Sequence, residues 1–434
     1  MTISGISGSS LNETPSGERV HIAFFGLRNA GKSSLVNAVT GQNLAIVSEV
    51  KGTTTDPVSK AMELLPLGPV VIIDTPGLDD VGELGELRVK RALNVLAKCD
   101  IAVLVHDANE SFTQAENDLV KLFETRKLPF IIACNKADLL TERKNFVSTE
   151  NVKKLKEESS PAKQENVLTG KHIDELRKNE NVIYVSALTG ENIHALKEKL
   201  ASLAKNKSSS KKLIADLLKP GDMVLLVIPV DKAAPKGRLI LPQQQTIRDI
   251  LDARCSAFMC QDTELSHALE KITPALVVTD SQVFEKVNAI VPRNILLTSF
   301  SILFARYKGN LKALVNGAEK LSRLKDGDKV LISEGCTHHR QCGDIGTEKI
   351  PAWVKNFTGI NPEFSFTSGG EFPDIETLKN FALIIHCGGC MLNEQEMLSR
   401  LERAELAGVP IVNYGVAIAQ MHGILKRSLE PFDL

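Results

Sequence analysis

Short apolar runs alternate with longer amphipathic stretches from residue 21 to about 203, with the runs at 21–25, 70–74, 101–106, 130–135 and 182–186. Runs this short, each followed by helix-length text, predict the buried strands of a parallel sheet joined by crossover helices. Between Leu140 and Asn181 the chain is rich in Lys and Glu, with Ser159, Ser160 and Pro161 in its middle. That stretch is too long for an ordinary connection and predicts a helical or mobile insertion. The polar text K-N-K-S-S-S-K-K at 205–212 predicts a linker. A second series follows, with strands at 223–230, 257–260, 276–279 and 295–297 and a helix near 244–254. This is a small α/β module whose expected role is association. After an amphipathic stretch at 300–324, a third series has strands at 329–333, 381–386 and 409–412, again the pattern of an open, mostly parallel sheet.

The 434 residues correspond to about three domains at roughly 150 residues each. The expected division is a tail at 1–19 and α/β domains at 20–205, 206–298 and 299–434. Lys and Arg number 52 against 53 Asp and Glu, so no global field draws the chain to nucleic acid or anionic lipid. The longest apolar runs, such as 223–228, fall far short of the roughly 20 residues that span a bilayer. The Ser-, Thr- and Gly-rich start resembles neither a signal peptide nor a transit peptide, so a disordered tail on a cytoplasmic protein is expected. Eight cysteines are too sparse for a disulfide scaffold, yet half lie between 336 and 390.

The first strand runs into Gly26-Leu27-Arg28-Asn29-Ala30-Gly31-Lys32-Ser33, and Ser34 opens helix-like text. This is G-x-x-x-x-G-K-S/T in the strand-to-helix context its mechanism needs: backbone N–H groups surround phosphates, Lys32 supplies charge, and Ser33 offers its hydroxyl to Mg2+. Asn29, Ala30, Gly31, Lys32, Ser33 and Ser34 are the expected phosphate contacts. Asp74-Thr75-Pro76-Gly77 follows the next strand, with Asp74 the expected partner of a magnesium-bound water and the Gly77 N–H suited to the γ-phosphate. Asn135-Lys136-Ala137-Asp138 ends another strand, and a carboxylate there can accept both the N1–H and the exocyclic amine of guanine. Ser186-Ala187-Leu188 adds a backbone N–H toward the base oxygen. The nucleotide expected is GTP.

Over residues 20 to about 203 these motifs resemble the Era and TrmE group of GTPases. The resemblance implies that Thr54 of Gly52-Thr53-Thr54-Thr55-Asp56 ligates Mg2+, with Thr53 its rival. It also implies that Asn29 holds a K+ ion against the phosphates, a charge that would stabilise the transferring phosphoryl group. Lys32, Asn29, Thr54 and Gly77 are thus the catalytic set. Leu78-Asp79-Asp80 follows Gly77, so no Gln orients water, and hydrolysis is expected to be slow unless K+ or an acid such as Glu86 assists.

The third series carries Cys336-Thr337-His338-His339 after one strand and His386-Cys387-Gly388-Gly389-Cys390 after the next. If those strands are neighbours, the three cysteines converge at the carboxyl ends where open sheets place sites. The residues leave three readings open: structural zinc, an iron–sulfur cluster on three thiolates, or thiol exchange. The order C-x-H then H-C-x-x-C behind such a GTPase resembles the HydF family of [FeFe]-hydrogenase maturation GTPases, over essentially the whole chain. The resemblance implies a GTPase domain, a central dimerisation domain giving a homodimer, and a [4Fe-4S] cluster on Cys336, Cys387 and Cys390. His338 and His386 would then stand at or behind the exchangeable position. It further implies a scaffold that receives a diiron subcluster from the radical-SAM maturases HydE and HydG and delivers it to apo-hydrogenase. Cys99, Cys134, Cys255 and Cys260 are expected to be packing residues, and Cys342 lies outside the motif. Two other classes stand beside this one: an RNA-related GTPase with a structural zinc, and a GTP-gated redox protein.

Overall fold

The computed structural model describes residues 14–42, 58–75, 77, 93–140, 180–207, 211–230, 239–335 and 344–432. They form two compact units, residues 1–209 and 210–434. Thr53, Thr54, Glu86, Cys336, His338, His339, Cys342 and nearly all of the 141–180 insertion lie outside the described residues, as does most of the N-terminal tail.

The first unit is a six-stranded sheet in the order β2-β3-β1-β4-β5-β6. Its strands are β1 Val20–Gly26, β2 Val58–Leu64, β3 Gly68–Asp74, β4 Ile101–Asp107, β5 Phe130–Asn135 and β6 Val182–Tyr184. All pair in parallel except β2, which runs antiparallel along β3. Successive β1 side chains enter opposite layers: Ile22 and Phe24 join one core with Leu35, Val36 and Val39, whereas Ala23 and Phe25 join the other with Leu119 and Phe123. Alternation across a sheet covered on both faces produces this split. Cys99 and Cys134 are buried in the second of these layers, as their apolar surroundings suggest.

The second unit holds two parallel four-stranded sheets. One has the order β10-β9-β7-β8, from β7 Met223–Val227, β8 Ser256–Cys260, β9 Leu276–Thr279 and β10 Leu296–Ser299. The other has the order β12-β11-β13-β14, from β11 Lys329–Ser333, β12 Glu363–Thr367, β13 Leu383–His386 and β14 Ile411–Asn413. One hydrophobic cluster runs through both, from Leu225 and Val277 through Ile302 and Leu314 to Ile332, Ile385 and Val416. Arg427, near the chain end, is buried and bonds the carbonyls of Asn288, Val291, Pro292 and Ile295, tying the last helix to the first sheet of this unit.

The sheets place the motifs. β1 delivers 26–33, β3 delivers Asp74, β5 delivers Asn135, and β6 is followed by Ser186. In the second unit β11 and β13 are neighbours, and Ser333 is in register with His386. No helix among the described residues is long and apolar enough to cross a membrane.

Candidate functional site

The loop after β1 turns on Asn29 and Gly31, both at positive φ (64° and 83°), before helix Lys32–Thr40 begins. Lys32 Nζ lies 2.6 Å from Asp74 Oδ1, and the Ser33 hydroxyl donates to Asp74 Oδ2 at 3.0 Å. One carboxylate therefore spans the ammonium and hydroxyl that the motif directs at phosphate and Mg2+. Asn29 and Ser34 are exposed, Ala30 is buried, and Gly77 is partly buried.

Asn135 stitches the base side of the site to the phosphate loop. Its Nδ2 donates to the Ala30 carbonyl at 3.1 Å, and its Oδ1 accepts the Ala187 N–H at 3.0 Å. The Ser186 N–H is used by the Glu191 carbonyl, and Leu188 is exposed. Lys136 stands at φ 62° with Nζ 2.6 Å from Asp107 Oδ2. Burial raises the Asp107 carboxyl, but bonds from Lys136 and Asn109 outweigh it and hold the group below the usual carboxylate range. Asp107 and Asn109 were invisible in the sequence, because an acid at a strand end is common and only its proximity to Lys136 marks it.

Asp138 Oδ1 is buried with no hydrogen-bond partner among the described residues. A buried acceptor left unpaired is costly, and the amino and N1–H edge of guanine would satisfy it. Asp138→Asn is therefore expected to weaken GDP binding by ~100- to 10,000-fold, from two charge-assisted bonds at ~1.5–3 kcal/mol each. Titration with GDP and with xanthosine diphosphate checks this; undiminished GDP affinity would contradict it.

In the second unit the Gly335 N–H donates to Cys387 Sγ at 3.0 Å, and the Gly389 N–H does so at 3.4 Å. Gly389 takes φ 64°, which turns the chain between the two cysteines. Cys336 itself is outside the described residues, but the chain reaches it one residue after Gly335. Burial pushes the Cys387 thiol up to about 11 against the pull of the two N–H groups, and burial also raises Cys390, with Lys308 opposing. Among the described residues no three His, Cys, Asp or Glu side chains are close enough to hold a metal. The donor chemistry nevertheless fits a thiolate-bound cluster, because N–H groups aimed at sulfur stabilise the anionic form that a metal requires.

His386 is fully buried behind this turn. Its Nδ1 pairs with the Cys387 carbonyl at 2.7 Å and its Nε2 with Arg400 at 3.0 Å. Burial, then the Arg400 charge, pull the imidazole down to about 3, so the ring is neutral near pH 7. Arg400, also fully buried, bonds Glu396 at 2.7 Å and the Gly369 carbonyl at 2.6 Å and lies over the Phe372 ring. Lys308, 2% exposed, donates to the carbonyls of Cys390 and Leu392. Neither cation was legible in the sequence, since each sits in ordinary amphipathic helix text.

Comparison with known proteins gives three family matches. Residues 21–136 match the profile of a 50S ribosome-binding GTPase, 213–309 the hydrogen maturase F dimerization domain, and 312–431 the hydrogen maturase F tetramerization domain. The helix after β10 falls inside the stretch matched by the dimerization profile. GTPase Der of Nitratidesulfovibrio vulgaris is 36% identical over 143 residues, covering 32% of this chain and 28% of that protein. GTPase Der of Wolinella succinogenes is 33% identical over 172 residues, 39% of this chain and 36% of that one. The chain therefore spans less than two fifths of either relative's length. Among solved structures, Aquifex aeolicus Era is 19% identical, covering 62% of this chain and 97% of that one, with a TM-score of 0.32.

Proposed function

The chain belongs to the hydrogen maturase F family, a GTPase carrying dimerization and tetramerization domains, and from that premise we propose that it is a GTP-hydrolysing scaffold for metallocluster assembly. In this reading it binds a [4Fe-4S] cluster through Cys336, Cys387 and Cys390, receives a diiron precursor from HydE and HydG, and delivers it to apo-hydrogenase. The observation that supports it is the Gly335 N–H bond to Cys387 Sγ, which ties the residue before Cys336 to the C-x-x-C turn across two neighbouring strands. Three thiolates leave one iron of a four-iron cluster with a replaceable ligand, which suits acceptance of an incoming group.

His386 then orients Cys387 through its carbonyl, and His338 and His386 are the motif histidines proposed as exchangeable ligand or support behind it. In the GTPase unit, Lys32 and Ser33 would hold phosphate and Mg2+, Asp74 would accept from the metal's water, and Thr54 is the proposed further ligand of the ion. Gly77 meets the γ-phosphate. The Leu188 backbone completes the contacts to guanine beside Asn135, Asp138, Ser186 and Ala187. Asn29 at positive φ is the proposed K+ ligand and the source of a slow, potassium-stimulated rate; equal hydrolysis in Na+ and K+ would remove that part. A homodimer built on the central domain is the proposed working unit.

The decisive experiment loads the anaerobically reconstituted protein with a synthetic diiron complex and mixes it with apo-[FeFe]-hydrogenase. The expected result is hydrogen evolution from the hydrogenase that scales with the loaded scaffold. A fully reconstituted scaffold that never activates the apoenzyme would sink the carrier reading.

A further inference from the structure

β4 and β5 run in parallel with Asp107 in register with Asn135, so the last residue of β4 stands beside the first of the base-side motif. The Ala108 N–H donates to the Asn135 carbonyl at 2.9 Å. Asp107 then turns the chain, its Oδ1 accepting the Asn109 N–H at 3.0 Å and Asn109 Nδ2 at 3.1 Å. Its other oxygen meets Lys136 Nζ at 2.6 Å. The same Asn109 amide reaches the Lys136 carbonyl at 3.4 Å, and the Leu139 N–H donates to that carbonyl at 3.1 Å. Lys136 is therefore held at both ends, by its backbone and by its ammonium.

Two features set this pair apart from an ordinary surface ion pair. Lys136 stands at φ 62°, a conformation that an L-residue keeps only where its surroundings impose it. Its stem also runs to the phosphate loop: Cε lies 4.0 Å from where a Cβ on Gly31 would stand, beside the Asn135 amide. A lysine has four rotatable bonds, and an untethered one would give up much of that freedom each time a nucleotide fixed it. The Lys136 side chain is 34% exposed and that of Asp107 20%, so water screens the two charges only in part. Among the described residues the Asp107 carboxylate bonds Lys136 and Asn109, and whatever it does at the site it does through them.

We propose that Asp107 is a positioning residue of the nucleotide site: it holds the Lys136 stem across the phosphate-loop glycine before nucleotide arrives, so that one wall of the guanine site is set in advance. This rests on the GTPase reading above. A tether of this kind strengthens binding by removing an ordering cost, and the gain falls mainly on the dissociation rate. The carboxylate at the end of β4 thereby joins Asn135 in linking the base side to the phosphate loop.

The test uses the full chain with Mg2+ and GDP carrying a ribose-linked fluorophore, displaced by excess unlabelled GDP under stopped flow. Asp107→Asn is expected to speed dissociation about three- to thirtyfold, and Lys136→Met by at least as much. The double variant decides the matter: a carboxylate that acts through the lysine has little left to lose, so adding Asp107→Asn to Lys136→Met changes the rate less than about twofold. Should Asp107→Asn fail to fold, Asp107→Ser keeps an acceptor for the Asn109 N–H without the charge and gives the same pattern. Single-variant rates within about twofold of wild type, or losses that multiply in the double variant, would overturn the inference and leave Asp107 a turn residue. A wild-type protein that takes up no labelled GDP would instead overturn the nucleotide-site reading itself.

Discussion

Gly31→Ala is expected to abolish GTP hydrolysis and to weaken nucleotide binding at least ~100-fold. At φ 83° an L-residue is strained, costing roughly 1–2 kcal/mol. The larger effect is steric. A Cβ at this position would stand 2.2 Å from Asn135 Nδ2, so Asn135 must swing away. That motion breaks its bonds to the Ala30 and Gly31 carbonyls and to the Ala187 N–H, through which it links phosphate loop and base side. At ~1 kcal/mol per bond, plus a distorted N–H cradle, the total exceeds the ~2.7 kcal/mol of a hundredfold loss. Calorimetric titration with GDP and a non-hydrolysable GTP analogue measures it. Binding within threefold of wild type would show that the loop relaxes without Asn135. Cluster content should be unchanged, because the two sites sit in different compact units of the chain.

Cys387→Ala carries the other large effect: complete loss of the four-iron signal. Its sulfur is the acceptor of both the Gly335 and Gly389 N–H groups, so removal takes away a ligand and leaves two donors without their acceptor at the turn. Iron and sulfide analysis, with EPR of the dithionite-reduced protein before and after adding imidazole, gives the readout. Cys255→Ala serves as the control, since that thiol is buried against Lys219 and Ala253 carbonyls far along the sequence from the motif. A mutant that keeps the wild-type signal would remove Cys387 from the ligand set. Stoichiometric zinc in the wild type, with no signal, would favour the structural-zinc reading.

The interior strands β1, β3, β4, β5, β7, β9, β11 and β13 all read as apolar runs, which reflects burial on both faces, and the edge strands β6, β8, β10 and β14 were legible as well. Two strands gave no signal, β2 and β12, and both are edges. Ser59, Lys60, Glu63 and Glu363 interrupt them, and Phe366 stays exposed, so neither reads as a buried run. The nucleotide motifs were legible because phosphate and guanine demand fixed residue types at fixed spacing. Asp107, Lys308 and Arg400 were not, because each acts through a partner distant in sequence, and no local pattern encodes that distance.

The hydrophobic cluster shared by the two sheets of the second unit bears on how the protein is made. Leu225, Val277 and Leu297 share one continuous core with later residues such as Leu314, Leu331 and Val416. On the ribosome, the segment up to residue 309 therefore emerges with apolar surface still waiting for roughly a hundred further residues, an interval of about 5–20 s at ordinary synthesis rates. The N-terminal unit has by then received its whole sequence and can close first. The two C-terminal modules share their core: a gene fusion could exchange the GTPase at the boundary between the two units near residue 209, past the helix Ile193–Lys207 that takes up the start of the linker expected at 205–212, but a break at 309–312 would leave each half with an open core.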